Sequence, residues 1–211
     1  MNSIKSKVRL IISVTIIWLF NISGIVGILM GYEDWFLPLT PLNLLIYLVL
    51  IIWNSQDMIR LLFFLMIPFC IGMITELLGV QYNLIFGSYD YGENLGYKVW
   101  GVPWIIGVNW ALLVYCTAAI SQKFCDNIWI SSCIAALLMV GLDFIIEISA
   151  PRLDFWEFEG GNAPLQNYIG WLGTGYIAQI FFQKKIKAFC LTISLHIFIA
   201  ILVFFTVFLF I

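Results

Sequence analysis

Charge is what this sequence has least of. Asp, Glu, Lys and Arg make up 10% of its 211 residues, against about 25% in an ordinary soluble domain. Hydrophobic residues reach 63%, and mean hydropathy is +1.02. That balance excludes a soluble globular domain and a disordered chain alike. No basic run or patch occurs, so nucleic acid is not an expected partner. The five cysteines (Cys70, Cys116, Cys125, Cys133, Cys190) form neither a C-x-x-C nor a Cys/His cluster. Disulfide and zinc frameworks are therefore not expected, and the cysteines read as small packing residues. Phosphate-binding glycine loops and nucleophile motifs are missing too. No polar stretch is long enough for a separate soluble domain, so a single membrane domain over 1–211 is expected.

What is present is apolar sequence in long runs. Seven recur: Val8–Met30, Phe36–Trp53, Ile59–Val80, Val102–Ser121, Ile128–Ile148, Pro164–Phe182 and Ala188–Ile211. Runs of about 18 residues or more are long enough to cross a bilayer core. The expected fold class is all-α, a polytopic membrane protein of about seven transmembrane helices. The first run follows basic residues, as a signal peptide would, but it is long for one and no A-x-A-like site follows. Basic residues set the orientation. With the N-terminus in the cytoplasm, Lys5, Lys7, Arg9, Arg60, Lys123, Lys184, Lys185 and Lys187 lie inside, and only Lys98 and Arg152 outside. Seven crossings then put the C-terminus outside.

The acids run the other way: only Asp57 and Asp126 fall on the cytoplasmic side. Acids contribute little to topology, so the outer half has polar work of its own. Two outer loops, Gln81–Gly101 and Ser149–Ala163, are dense in Gly, Tyr, Trp and acids. Distinctive loops gathered on one face usually carry function on a helical scaffold. By contrast, the inner half has little polar content beyond Thr192 and Ser194.

Three carboxyls stand inside apolar runs, where an acid at a helix centre costs about 2.5–3.5 kcal/mol. They are Glu76 in the third run and Asp143 and Glu147 in the fifth. Asp143 and Glu147 are i, i+4 and share one helix face about 6 Å apart along it. All three lie at similar depth, so they could converge on one pocket. Thr75, Asn109 and Asn167 are the polar residues nearest in depth, suited to placing a water or substrate. Asn21 and Asn43 are of the same kind. Tyr89, Tyr91, Trp110, Trp156 and Trp171 crowd the same side, with Phe86 and Phe158. Aromatic faces stabilise cations, so acids among aromatics suit a carbocation reaction. His196, mid-run in the seventh span, reads as a hydrogen-bonded helix contact.

The ordered motifs Thr75-Glu76-x-x-Gly79, Phe86-Gly87-x-Tyr89-x-Tyr91, Gly101-Val102-Pro103 and Asn109-Trp110 resemble the carotenoid biosynthesis membrane-protein family. So do Asp143 in Gly-Leu-Asp, Trp156, and Pro164-Leu-Gln-Asn167-Tyr168-x-Gly170-Trp171. The similarity covers roughly residues 60–180. Two positions depart from the pattern: Ile148 follows Glu147 where a proline is expected, and Phe158 stands where a second Trp is common. Named members of the family are carotenoid hydratases of the γ-carotene 1'-hydroxylase and bisanhydrobacterioruberin hydratase types. The resemblance implies addition of water across the terminal C=C of an acyclic ψ end group, giving a tertiary alcohol without cofactor or metal. It implies a carotenoid dissolved in the bilayer as substrate and a bacterial or archaeal cell membrane as location. It leaves room for contacts with other carotenoid enzymes. Glu76 and Asp143 would be catalytic, one as general acid kept protonated by apolar surroundings. Which of the two donates is open at this level. The rival readings are a membrane protein that binds a carotenoid or prenyl lipid unchanged, an end-group cyclase, and a proton-coupled transporter.

Overall fold

The computed structural model describes residues 2–209, with side chains from residue 5 onward. Among them, long helices fall on the apolar runs: α1 (Asn2–Leu29), α3 (Thr40–Trp53), α4 (Met58–Tyr82), α5 (Ile105–Ser121), α6 (Ile128–Ser149), α7 (Leu165–Gln183) and α8 (Leu191–Val207). A one-turn α2 (Glu33–Phe36) and a 3-10 turn at Leu37–Leu39 lead into α3. Residues 210–211 of the seventh run lie outside the described residues. Among the described residues, four helical stretches are long and apolar enough to cross a membrane: Lys5–Leu29, Glu33–Trp53, Met58–Tyr82 and Ile128–Ser149. Two more, Ile105–Ser121 and Leu191–Val207, are apolar but shorter. Large apolar side chains such as Ile11, Phe63 and Phe144 are exposed on the outer faces, as a surface meeting lipid requires.

Local chemistry sets the helix ends. Asp57 accepts a hydrogen bond from the Arg60 amide to cap α4, and Asn127 accepts from Trp129 and Ile130 to cap α6. The buried face of α4 runs Leu61, Leu65, Pro68, Gly72, Glu76, Gly79, a stripe at helical spacing that carries the acid on its inward side. Helix α5 is the axis of the bundle: every residue except Asn109 and Ile120 is buried. It packs on α3, α4, α6, α7 and α8.

The bundle has two distinct ends. At one, the Arg60 guanidinium donates to the Lys185 carbonyl at 3.0 Å. At the other, Arg152 pairs with Glu33 at 3.2 Å and Lys98 with Glu93 at 2.8 Å. Arg60 and Lys185 thus lie at the end opposite the acid-rich loops.

The loops hold the first departure from an all-α expectation. Strand β1 (Tyr89–Tyr91) pairs antiparallel with β4 (Trp156–Phe158), and β2 (Lys98–Val99) with β3 (Val102–Pro103). The first ribbon joins the two loops, with Tyr89 opposite Phe158, Asp90 opposite Glu157 and Tyr91 opposite Trp156. Side chains alternate across a strand. Asp90 and Glu157 therefore point to solvent while the four aromatics point into the bundle. Hydrogen bonds from Gly92 to the Phe155 carbonyl and from Glu159 to the Ser88 carbonyl extend the ribbon at both ends. Like charges directly opposed across a ladder are destabilising. Asp90→Lys should therefore raise stability by about 0.2–1 kcal/mol, read as a small rise in melting temperature with activity unchanged.

The second departure is at the opposite end, where a buried polar ladder occupies the supposedly bare inner half. The Gln179 amide donates to Thr117 Oγ1 at 2.7 Å, and Gln183 donates to Gln179 at 2.9 Å. Ser131 and Gln122 both donate to the Gln183 carbonyl oxygen, and Ser131 meets Ser121. Polar side chains of this kind join helices through interhelical hydrogen bonds. The ladder contains no titratable group, so it fastens α5, α6 and α7 rather than carrying protons. His196 is a helix contact as expected, its Nδ1 accepting from Trp18 Nε1 at 3.0 Å.

Candidate active site

Glu76 sits under the ribbon, 3% exposed. Tyr89 and Tyr91 donate their hydroxyls to Oε2 at 2.5 and 2.6 Å, and Trp110 Nε1 donates to Oε1 at 3.0 Å. Alternation in β1 brings both tyrosines to the same carboxyl. Burial, followed by the neighbouring Glu76 carboxylate, pushes both phenols well above their usual range. Both hydroxyls thus remain protonated donors at any physiological pH.

The second cluster lies on α6. Asp143 and Glu147 share the Asn167 side-chain amide, which donates to Asp143 Oδ2 at 3.0 Å and Glu147 Oε1 at 3.2 Å. Trp156 Nε1 donates to Glu147 Oε2 at 2.9 Å. The ribbon therefore ties the two clusters together, since Trp156 is the cross-strand partner of Tyr91.

Between them is a cavity of about 20 Å³, lined by Glu76, Glu147, Asn167 and the rings of Tyr89, Tyr91 and Trp156, among others. One water occupies roughly 10–15 Å³ by this measure, so the space suits one water molecule. Trp110 stacks on Trp171 with ring centres 4.3 Å apart and planes 11° from parallel, and Phe86 packs against both. Beyond Trp156 lies a second, apolar cavity of about 370 Å³ between α1, α3, α5, α6 and α8. Trp156 lines both spaces.

Most residues singled out by sequence meet here: Glu76, Asp143, Glu147, Asn167, Tyr89, Tyr91, Trp110, Trp156 and Trp171. Glu147 joins the cluster with Ile148 following it, and Phe158 fills its place in the ribbon beside Tyr89. Thr75 does not join; its hydroxyl returns to the Ile71 and Gly72 carbonyls of its own helix. Asn109 bonds none of the three carboxyls and lines the larger cavity. Sequence reasoning passed over Gly72 and named Gly79 only within a motif, without its packing role. A Cβ on Gly72 would overlap the Trp110 indole, and one on Gly79 would press on the Tyr89 hydroxyl and the Phe86 ring. Their signal was the spacing Gly72, Glu76, Gly79, one helix face. Among the described residues, no three His, Cys, Asp or Glu side chains are arranged to hold a metal ion.

The model of the carotenoid biosynthesis protein family matches residues 37–211. The chain belongs to that family. It is also 29% identical over 118 residues to the bisanhydrobacterioruberin hydratase of Haloarcula japonica, an alignment covering 51% of this chain and 40% of that protein. The chain thus matches less than half the length of this relative. No solved structure matches it. The family match extends well beyond the 60–180 stretch where the motifs lie. It takes in α3 and α8, which wall the larger cavity.

Proposed function

We propose that this family member is a carotenoid hydratase that adds water across the terminal C=C of an acyclic ψ end group. The observation that carries this is the one-water cavity with carboxyls on both sides. The hydrogen-bond inventory supports a division of roles between them. Glu76 receives three donors, the pattern of an anionic acceptor. Asp143 receives one, from an amide it shares with Glu147, so the Asp143–Glu147 pair holds a proton of its own between like groups.

The chemistry follows. The pair's proton rests on Asp143, and Glu147, on the cavity wall, relays it to the less substituted alkene carbon, so that a tertiary carbocation forms. The rings of Tyr91, Trp156 and Trp171 face that charge. Water held by Glu76 adds through oxygen, its spare proton goes to the carboxylates, and a tertiary alcohol results. The polyene enters through the larger cavity, and the Trp156 ring swings aside to admit the end group. No redox step is involved. In this reading seven helices span the bilayer, the N-terminus is cytoplasmic, and the site faces the outer leaflet of a bacterial or archaeal cell membrane. The carotenoid is taken from the bilayer itself.

Expression in cells that accumulate lycopene or γ-carotene tests the activity. The expected pigment gains the mass of one water and keeps its chromophore absorption. Unchanged pigment beside folded protein would contradict the proposal and favour a binding role. An isomer of unchanged mass would favour a cyclase.

A further inference from the structure

The larger cavity contains chemistry that proton transfer does not use. At its α1–α3 wall stand Asn21, Asn43 and Tyr47. Tyr47 is 1% exposed and Asn21 3%. The Asn21 amide nitrogen is committed to the Ala200 carbonyl at 2.8 Å, which leaves its oxygen free. That Asn21 oxygen, the Asn43 Oδ1 and the Tyr47 hydroxyl are buried without a hydrogen bond of good geometry, and the phenol is within reach of only weak contacts from the Asn43 and Asn21 amides. Buried polar groups are nearly always satisfied, and each exception asks for an explanation. Elsewhere the cavity is apolar, formed by side chains such as Leu44, Ile106, Ile201 and Phe205, and its size falls in the range of small-molecule sites.

The unpaired set is rich in acceptors: two amide oxygens and one hydroxyl that can both give and take. A ketone or ether would use only the Tyr47 proton and leave both amide oxygens bare. A cation would need a carboxylate, and none lines this cavity. An alcohol satisfies more of the set, donating to one amide oxygen and accepting from Tyr47, and leaves one amide oxygen bare instead of two.

We propose that this cavity is a binding site for a hydroxyl-bearing isoprenoid chain, with Asn21, Asn43 and Tyr47 holding the hydroxyl and the apolar walls holding the chain. This deepens the hydratase reading. It implies that the protein grips an alcohol already present on a chain, a product or a substrate hydroxylated elsewhere, at a point separate from the reacting carboxyls.

The test is binding without turnover. Linalool, a ten-carbon isoprenoid tertiary alcohol, and β-myrcene, its dehydrated hydrocarbon, are titrated into the full chain in nanodiscs, read by quenching of tryptophan fluorescence, since Trp156 lines the cavity. Linalool should bind about tenfold tighter, the value of roughly one hydrogen bond. Tyr47→Phe and Asn43→Leu should each remove most of that preference and leave myrcene binding unchanged. Both variants should match or exceed the parent in thermal stability, because an unpaired buried polar group is lost. Equal binding of the two ligands by the parent would overturn the proposal and identify an acyl-chain cavity. So would a preference that survives in both variants. Preference for linalool in a chain that hydrates no carotenoid would sink the hydratase reading alone.

Discussion

Asp143→Asn should lower hydration by about two to four orders of magnitude, the usual worth of a positioned general acid, and leave the fold nearly as stable as before. An asparagine there can still accept from Asn167 and can offer its own amide to Glu147, so the local hydrogen bonds survive. What disappears is the proton. Glu76→Gln should be as inactive but should behave differently on heating. The glutamine amide nitrogen would face a donor already committed to that site, from Tyr89 and Tyr91 or from Trp110. Leaving buried donors unpaired costs about 1–3 kcal/mol, so the melting temperature should fall measurably. Turnover and thermal unfolding of the two variants side by side check the assignment. A stable Glu76→Gln and an unstable Asp143→Asn would reverse it.

Gly72→Ala should lower activity without touching a reacting group. The added Cβ would occupy the space of the Trp110 indole, and that indole is held between Glu76 and the Trp171 ring. Overpacking of this kind typically costs about 1–3 kcal/mol, and the indole can yield only by leaving Glu76 or breaking the stack. Hydration should drop by about ten- to a hundredfold through misplacement of a supporting donor. Trp110→Phe on the parent background should also lower activity, because phenylalanine keeps the Cβ, Cγ and Cδ1 atoms that Gly72 accommodates and loses only the Nε1 donor to Glu76. Wild-type turnover in Gly72→Ala would show that Trp110 is only packing.

Much of this was legible in the chain. Long apolar runs dictate helices, and carboxyls within such runs are costly enough to announce themselves, which is why Glu76, Asp143 and Glu147 could be picked out. Depth was legible as well, but the facing direction was not. Successive helix residues point about 100° apart, so Trp110 meets Glu76 while its neighbour Asn109 turns to the larger cavity. The ribbon was the least legible element. Its strands are three residues long and far apart in sequence, too short for a periodic signal. In retrospect, Tyr-Asp-Tyr and Trp-Glu-Phe each alternate aromatic with acid, the pattern of a strand with one face buried. The ladder through Gln179 and Gln183 was passed over because amides near the end of a run look like its polar margin.

The central claim is that the carboxyl cluster adds the oxygen of water to a carotenoid end group. Its most direct test is turnover of lycopene by the purified chain in liposomes made up in heavy-oxygen water, with the product weighed. The account predicts a chain-dependent tertiary alcohol carrying the heavy oxygen, absent with Asp143→Asn. A product lacking the label, or equal product from Asp143→Asn, would contradict it.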